Sequence, residues 1–390
     1  MRYYRIEITD PANPGPTQVY TSWVNGGNDP GALNVQFNII SASFESLKNT
    51  AVVQIQGISI KSISQANNLN NKNVKISAGF QKGLPLANPK QSGILVNGYI
   101  AQAFGNWLGN DMTLDLIVNP GPSPTTPASA QPTAAQSSVI VSEPLPPPLG
   151  SMTQPINGSF SWPAGIPLSV AIREFLKNAF PKYPEPKIEI NPNLILAYSV
   201  YEVINTLPAF AKWANEFSKK IIGIYHKGPG PYPGVQISLL PNNAFFVSDG
   251  TVPPPATTQN AATSTTSASS SAKNADNPSY EPKTITIEFK DLIGQPTWID
   301  QGEIQFKCPM RADIHCLDSI KFPEGIFPTI APSEINSPYN YRNTSQQKGT
   351  FNVKEINHYG NFRQPTADSW VSLFRCWYVP PATSTSSNLG

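Results

Sequence analysis

Cys308, His315 and Cys316 stand close together in the chain, and thiolates and imidazoles are soft metal ligands. Their spacing argues against zinc. A closed site needs four ligands, usually in pairs two to four residues apart, and the further candidates, His358 and Cys376, lie far along the chain. A Cys/His nucleophile pair would need Asp368 or another carboxylate to orient the imidazole, and no motif supports that arrangement. Cys308 reads more simply as a small buried side chain on a strand, with His315 and Cys316 in the turn and strand after Pro309. The sequence therefore assigns no catalytic residue, no metal ligand set and no cofactor site.

Other candidates give the same answer. Asp111 and Asp115 flank an apolar strand pattern and read as solvated or turn-capping carboxylates rather than an acid/base pair. Glu174, Glu185, Glu189 and Glu202 fall on helix or strand positions without the partner pattern of a glycosidase acid and nucleophile. The tract Gly228–Gly234 is rich in glycine and proline. It lacks a following Lys-Ser/Thr and leads into a strand, so it reads as a hairpin loop rather than a phosphate cradle, with His226 a polar residue at a strand end. Seven tryptophans, Trp23, Trp107, Trp162, Trp213, Trp298, Trp370 and Trp377, read as packing anchors before they read as a sugar-stacking set.

Composition narrows the class further. Formal net charge is +2 and charged residues make up 13% of the chain, about half the usual share, while 41 prolines are about twice it. A protein held by phosphates shows a clustered basic face; here the densest basic tract, Lys219 and Lys220 with Lys227 nearby, reads as a solvated helix end. So little surface charge on a β-rich chain predicts an assembled protein, since charge of one sign is what normally keeps copies apart. No apolar run follows Met1-Arg2-Tyr3-Tyr4-Arg5 as a signal sequence would, and none approaches the length of a membrane span. The chain is thus expected to be made, and to stay, in cytoplasm-like conditions without a membrane anchor. Three cysteines cannot build a disulfide framework and suit a reducing compartment.

The elements that must carry these residues fall into three blocks, separated by two low-charge stretches rich in Pro, Ser, Thr and Ala. Proline removes backbone donors and the small polar residues bury too little apolar area to offset chain entropy, so both stretches read as extended linkers. The resulting division is 1–118, a β block; 119–158, a linker; 159–249, a small α+β unit; 250–282, a linker; 283–380, a second β block; and 381–390, a tail. Alternation of period two marks strands in the first block at Tyr4–Ile8, Val35–Ile39, Val74–Phe80, Ile94–Val96 and Met112–Val118. Six or seven strands at such spacing indicate a barrel or sandwich. In the middle block the period changes to helical. Leu168, Ile172, Phe175, Leu176 and Ala179 form one stripe, started by Pro167 and stopped by Pro181 and Pro184; Leu207, Phe210, Ala211, Ala214, Phe217 and Ile221 form a second, with Thr206 as N-cap and Pro208 at the first helical position. Short strands are expected near Ile188–Ile190, Leu194–Val200, Ile221–Tyr225, Val235–Leu240 and Ala244–Val247. The third block returns to strands at Ile285–Phe289, Ile304–Cys308, Phe351–Ile356 and Trp370–Val379.

Three groups of stretches carry a resemblance to a known family. Ile287–Trp298, then Met310–Ile314 and Asp318–Phe322, look like a strand and turn followed by its partners; Gly349–Gly360 with Trp370 and Cys376 is similar to a closing strand pair; Lys72–Phe80 with Ile94–Ile100 resembles a barrel-building pair. In this order they resemble the central baseplate hub proteins of tailed bacteriophages, the adaptors between tail tube and spike. The resemblance implies a mainly β chain with two tail-tube-like β-barrel domains flanking the α+β unit. It implies a homotrimer whose two barrels per subunit give six around an axis, matching a six-fold tube on one face and a three-fold spike on the other. It further implies a non-enzymatic virion protein of the tail baseplate, assembled in the host cytoplasm. Its partners would be itself, the tube protein and spike or other baseplate proteins, with DNA passing through its channel at ejection without sequence-specific binding. The long linkers set this chain apart from simpler members. Rival readings are a virion-associated cell-wall hydrolase and a carbohydrate-binding tail-tip protein.

Overall fold

The computed structural model describes residues 1–12, 15–44, 50–81, 88–122, 158–222, 232–250, 283–300, 302–322, 329–330 and 350–379. The linkers expected over 119–158 and 250–282 therefore lie almost wholly outside the described residues, as does the tail.

In the first block the strands are β1 (Arg2–Thr9), β2 (Pro16–Thr21), β3 (Trp23–Val24), β4 (Gly27–Asn28), β5 (Asn34–Ala42), β6 (Thr50–Gln56), β7 (Asn73–Phe80), β8 (Gly93–Leu108) and β9 (Asp111–Pro120). Their alternation is obeyed: Tyr4, Ile6 and Ile8, Val35, Phe37 and Ile39, and Leu114, Leu116 and Val118 all point into one core. A helical turn that the pattern does not announce, α1 (Ile60–Ser64), starts where the Ser59 hydroxyl accepts the Ser62 amide, and it lies over Gly105 of β8.

The middle block is β10 (Gly158–Trp162), α2 (Leu168–Ala179), β11 (Lys187–Glu189), β12 (Val200–Ile204), α3 (Leu207–Ile222), β13 (Gln236–Leu239) and β14 (Phe245–Ser248). Both helices bury the expected stripes against β10, β13 and β14. Thr206 caps α3 by accepting the Ala209 amide, which puts Pro208 at the second helical position rather than the first. Two expectations fail here. The strand placed at Leu194–Val200 forms later, at Val200–Ile204, because Leu194 and Leu196 turn into the core of α2 and α3 while Ile195 bridges Pro167. The strand expected from Ile221 is helix at Ile221–Ile222, since the apolar stripe of α3 runs on to Ile221.

The third block supplies β15 (Thr284–Thr286), β16 (Thr297–Asp300), β17 (Glu303–Pro309), β18 (Ser319–Lys321), β19 (Thr329–Ile330), β20 (Thr350–Asn361) and β21 (Trp370–Val379). The chain is mainly β; among the described residues its α-helices lie in the first and middle blocks, and the third block holds single 3-10 turns at Phe289–Asp291 and Ala367–Ser369. The two closed barrels, however, are not formed among the described residues. One 14-stranded sheet runs β19-β16-β17-β21-β20-β5-β6-β9-β8-β7-β1-β2, with β15 and β18 attached through β20. The physical reason is visible at β20. A register shift between Val353 and Glu355 moves this strand from β18, which it meets at Phe351 and Asn352, to β5, which it follows from Glu355↔Ala42 to Asn361↔Gln36. The backbone edge of β5 that barrel closure would have satisfied is satisfied by the other block instead.

The cores follow the same plan. Met310, Ala312 and Trp370 of the third block belong to the first block's apolar cluster, and Phe44 of the first belongs to the middle one. Arg2 donates to the carbonyls of Asn361, Phe362, Gln364 and Thr366, and Arg363 donates back to those of Pro30 and Ala32. At the centre of the joint, Gly360 lies flat on the Phe37 ring. A Cβ at residue 360 would stand 2.3 Å from the Phe37 Cζ, and Phe37 is 3% exposed with no room to retreat. Gly360→Ala is therefore expected to lower stability by about 1–3 kcal/mol in urea unfolding, and Phe37→Leu in the same chain is expected to recover part of that loss.

Candidate functional site

The joint between β5 and β20 is also where the chemically capable side chains converge. His358 sits on β20 facing inward, 3% exposed, with its Nδ1 2.8 Å from the Ser372 hydroxyl on β21. Burial, and after it the neighbouring His315, pushes the imidazole down to about 3, so it is neutral at physiological pH. Ser372 is fully buried; its Oγ accepts the Arg311 amide at 3.1 Å and lies 3.3 Å from the Arg311 carbonyl. This Ser/His pair has the composition of a nucleophile and base, and sequence reasoning missed it because the two residues come from different strands. Its geometry is structural: both groups are enclosed and hydrogen-bonded to the frame around them.

Arg311 occupies the same layer with its side chain 4% exposed. Its guanidinium forks onto Asp313, at 2.9 and 2.8 Å, and reaches Asp291 at 3.6 Å, while Gln91 of the first block donates to Asp291 at 3.4 Å. Burial is the largest single influence and works against the cation, but the hydrogen bonds and charge of Asp313 together with Cys308 and Asp291 outweigh it, and the pKa is raised. Met310–Ile314 thus forms an ionic plug between the terminal blocks.

The cysteines are dispersed by this arrangement. Cys308 and Cys376 are fully buried on β17 and β21, and burial pushes the first thiol up to about 12 and the second well above its usual range. Neither is a thiolate at neutral pH, the form that attacks or binds metal. Cys316 donates to the Ser41 carbonyl at 3.3 Å. Asp368 is exposed and paired with Lys307 at 2.8 Å rather than with an imidazole. Among the described residues no three His, Cys, Asp or Glu side chains are grouped to hold a metal.

The remaining candidates scatter. Glu185 pairs with Lys177 and Arg173, Glu189 with Lys187, and Glu174 and Glu202 are exposed. Asp111 is exposed at the start of β9, but Asp115 departs from expectation. It is buried within β9 and accepts from Gln54 and Asn106 at 2.8 and 2.5 Å. Gln56 donates to Gln54 and Asn34 to Gln56, so a chain of amides crosses β5, β6, β9 and β8 on the sheet face turned away from the core. The next row on that face is Tyr359, Asn38, Val52, Ile117 and Gln102, which holds no charge at all. Of the tryptophans, Trp162, Trp298 and Trp370 are buried, Trp213 stacks on Phe210 and Phe217, Trp23 and Trp377 are half-buried, and Trp107 is 64% exposed. They form no common platform. His226, Lys227 and Gly228–Pro231 of the proposed hairpin loop lie outside the described residues.

No helix among the described residues is long and apolar enough to cross a membrane. No protein-family model matches this sequence, and no curated protein does. Among solved structures the chain is similar to the tail protein from Neisseria meningitidis MC58, with 10% identity, a TM-score of 0.41 and 96% of each chain covered. It is similar to the 43 kDa tail protein of prophage MuSo2 from Shewanella oneidensis, with 7% identity, a TM-score of 0.43 and coverage of 97% of this chain and 99% of that one. It is also similar to the E. coli c3393 protein, a component of the type VI secretion system with structural similarity to T4 bacteriophage tail proteins gp27 and gp5, with 8% identity, a TM-score of 0.41 and coverage of 92% and 79%.

Proposed function

We propose that this chain is a structural protein of a phage tail, and within it the central hub that joins the six-fold tube to the three-fold spike. The observation that carries this reading is the fusion of both terminal blocks into one sheet through β5 and β20, open at β2 and β19 among the described residues. A sheet that spans two similar blocks and keeps two unpaired edges supports joining copies head to tail around an axis, with three copies supplying six blocks. The sheet face away from the core, with its amide chain and its uncharged row, suits the wall of a channel through which a polyanion slides without being held. Its partners are then further copies of itself, the tube protein and the spike, and it acts by position rather than by turnover. The buried, protonated thiols and the enclosed His358–Ser372 pair agree with that role.

Mass photometry of the purified protein across salt concentrations is expected to show trimers, and negative-stain images down the particle axis a ring of six lobes. A monomer that persists at every salt and protein concentration would overturn the reading.

A further inference from the structure

Lys307 on β17, Lys354 on β20 and Arg375 on β21 are the only lysines and arginines that these three strands carry. Lys307 and Arg375 alternate with Phe306 and Phe374, which point into the third block's core. Their side chains therefore stand on the opposite face, the one that continues through β20 across β5, β6, β9 and β8. Each of the three cations meets a carboxylate. The Lys307 ammonium lies 2.8 Å from Asp368, on the turn between β20 and β21. That of Lys354 lies 2.6 Å from Glu303 of β17 and 4.3 Å from the centre of the Trp377 ring, which carries it onto the same face. The Arg375 guanidinium lies 3.7 Å from Glu355 of β20. Three acids from three different elements thus each stand beside a different cation. Further along the face there is no cation to oppose: β5, β6, β8 and β9 hold no lysine or arginine, and their only charged residues are Asp111 and Asp115.

Ion pairs that water reaches add little to folding, so stability is a weak reason for this pairing. Its effect on a passing polyanion is larger. A nucleic acid is held by cations that displace the counterions of its phosphates, and a cation already neutralised by a carboxylate must first lose that partner. Resting on the reading of this face as a channel wall, we propose that Glu303, Glu355 and Asp368 are masking residues. They neutralise every cation on the third block's share of the wall, so that a phosphate-rich duplex is not gripped there. The first block's share needs no mask, because it carries no cation and its fixed charges are negative.

Glu355→Gln combined with Asp368→Asn in the full chain tests this, since each change keeps the shape of the side chain and removes its charge. Binding of a fluorescent mixed-sequence DNA duplex is followed by anisotropy as salt is varied. Two freed cations add about 1.8 to the slope of log affinity against log salt, so the double variant's advantage over the native chain should grow about tenfold between about 200 and about 50 mM. Asp368 is 71% exposed, and Asp368→Asn alone should give about half that slope change should the pair fail to fold. Glu216→Gln is the control. It removes the same charge beside Lys212, 4.0 Å away on the exposed side of α3, and is expected to leave DNA binding unchanged. No gain for the wall variants, or an equal gain for the control, overturns the masking role. Mass photometry of the same samples keeps the two readings apart. Trimers whose wall variants gain nothing refute masking alone, whereas a native chain that stays monomeric refutes the hub.

Discussion

Replacing Trp370 with alanine is expected to cost about 3–5 kcal/mol of stability and to loosen the two terminal blocks from each other. Trp370 begins β21 in the third block, yet it is 1% exposed within the first block's cluster, edge-on to Phe37 at 5.2 Å and to Phe362 at 6.2 Å. Its Nε1 donates to the Gly79 carbonyl on β7 at 2.9 Å, and the Arg2 guanidinium lies 5.9 Å from its ring. Truncation would remove the ring, take away its hydrogen bond to the Gly79 carbonyl and open a cavity in the layer where the blocks touch. Trp370→Phe separates the terms: it keeps most of the apolar volume and loses the N–H, for about 1–3 kcal/mol. Urea unfolding of the three proteins measures the series. A Trp370→Ala loss below about 1 kcal/mol would show that the blocks hold together without this anchor.

Acid should weaken the same joint through His358. The folded imidazole has a pKa of about 3, against about 6.5 for an unconstrained histidine, because burial and the nearby His315 oppose its charge. Between these values the unfolded chain binds a proton that the folded chain refuses. The stabilisation is therefore complete above about pH 6.5, falls as the pH drops toward 3, and does so by up to about 1.4 kcal/mol per pH unit. The ring is 3% exposed and its Nδ1 is committed to Ser372, so a charge placed on it finds little water. Urea midpoints measured from pH 7 to pH 4 should slope more steeply for the native chain than for His358→Asn, whose amide can still meet Ser372. Parallel curves for the two proteins would show that His358 does not carry the acid sensitivity.

Much of the local structure was written in the sequence as periodicity. Alternation located nearly every long strand, because a half-buried strand has to place Tyr4, Ile6 and Ile8 on one face. The helical stripes of α2 and α3 were equally plain, and Cys308 proved to be the buried strand residue that its neighbours suggested. Strand partners were not legible. Nothing near Asn38 names Tyr359 as its neighbour, since the pattern of a strand fixes its faces and not which edge it meets. For the same reason two barrels were expected where most described strands of the terminal blocks join one 14-stranded sheet. The site suffered likewise: Ser372 and His358, or Gln91 and Asp291, become neighbours only through that pairing. Asp115 was misjudged because a carboxylate among strand residues looks solvated until the amides of Gln54 and Asn106 are folded around it.

The pairing of β5 with β20 also governs how the chain must be made. More than 300 residues separate Ala42 from Glu355, so a ribosome working at about 5–20 residues per second exposes the edge of β5 for roughly 15–60 s before its partner emerges. During that interval an apolar, weakly charged nascent sheet offers a bare row of amides and carbonyls to any neighbouring chain on the same message. Correct yield should thus depend on how quickly translation reaches the 350s, and on chaperones that shield the waiting edge until it does.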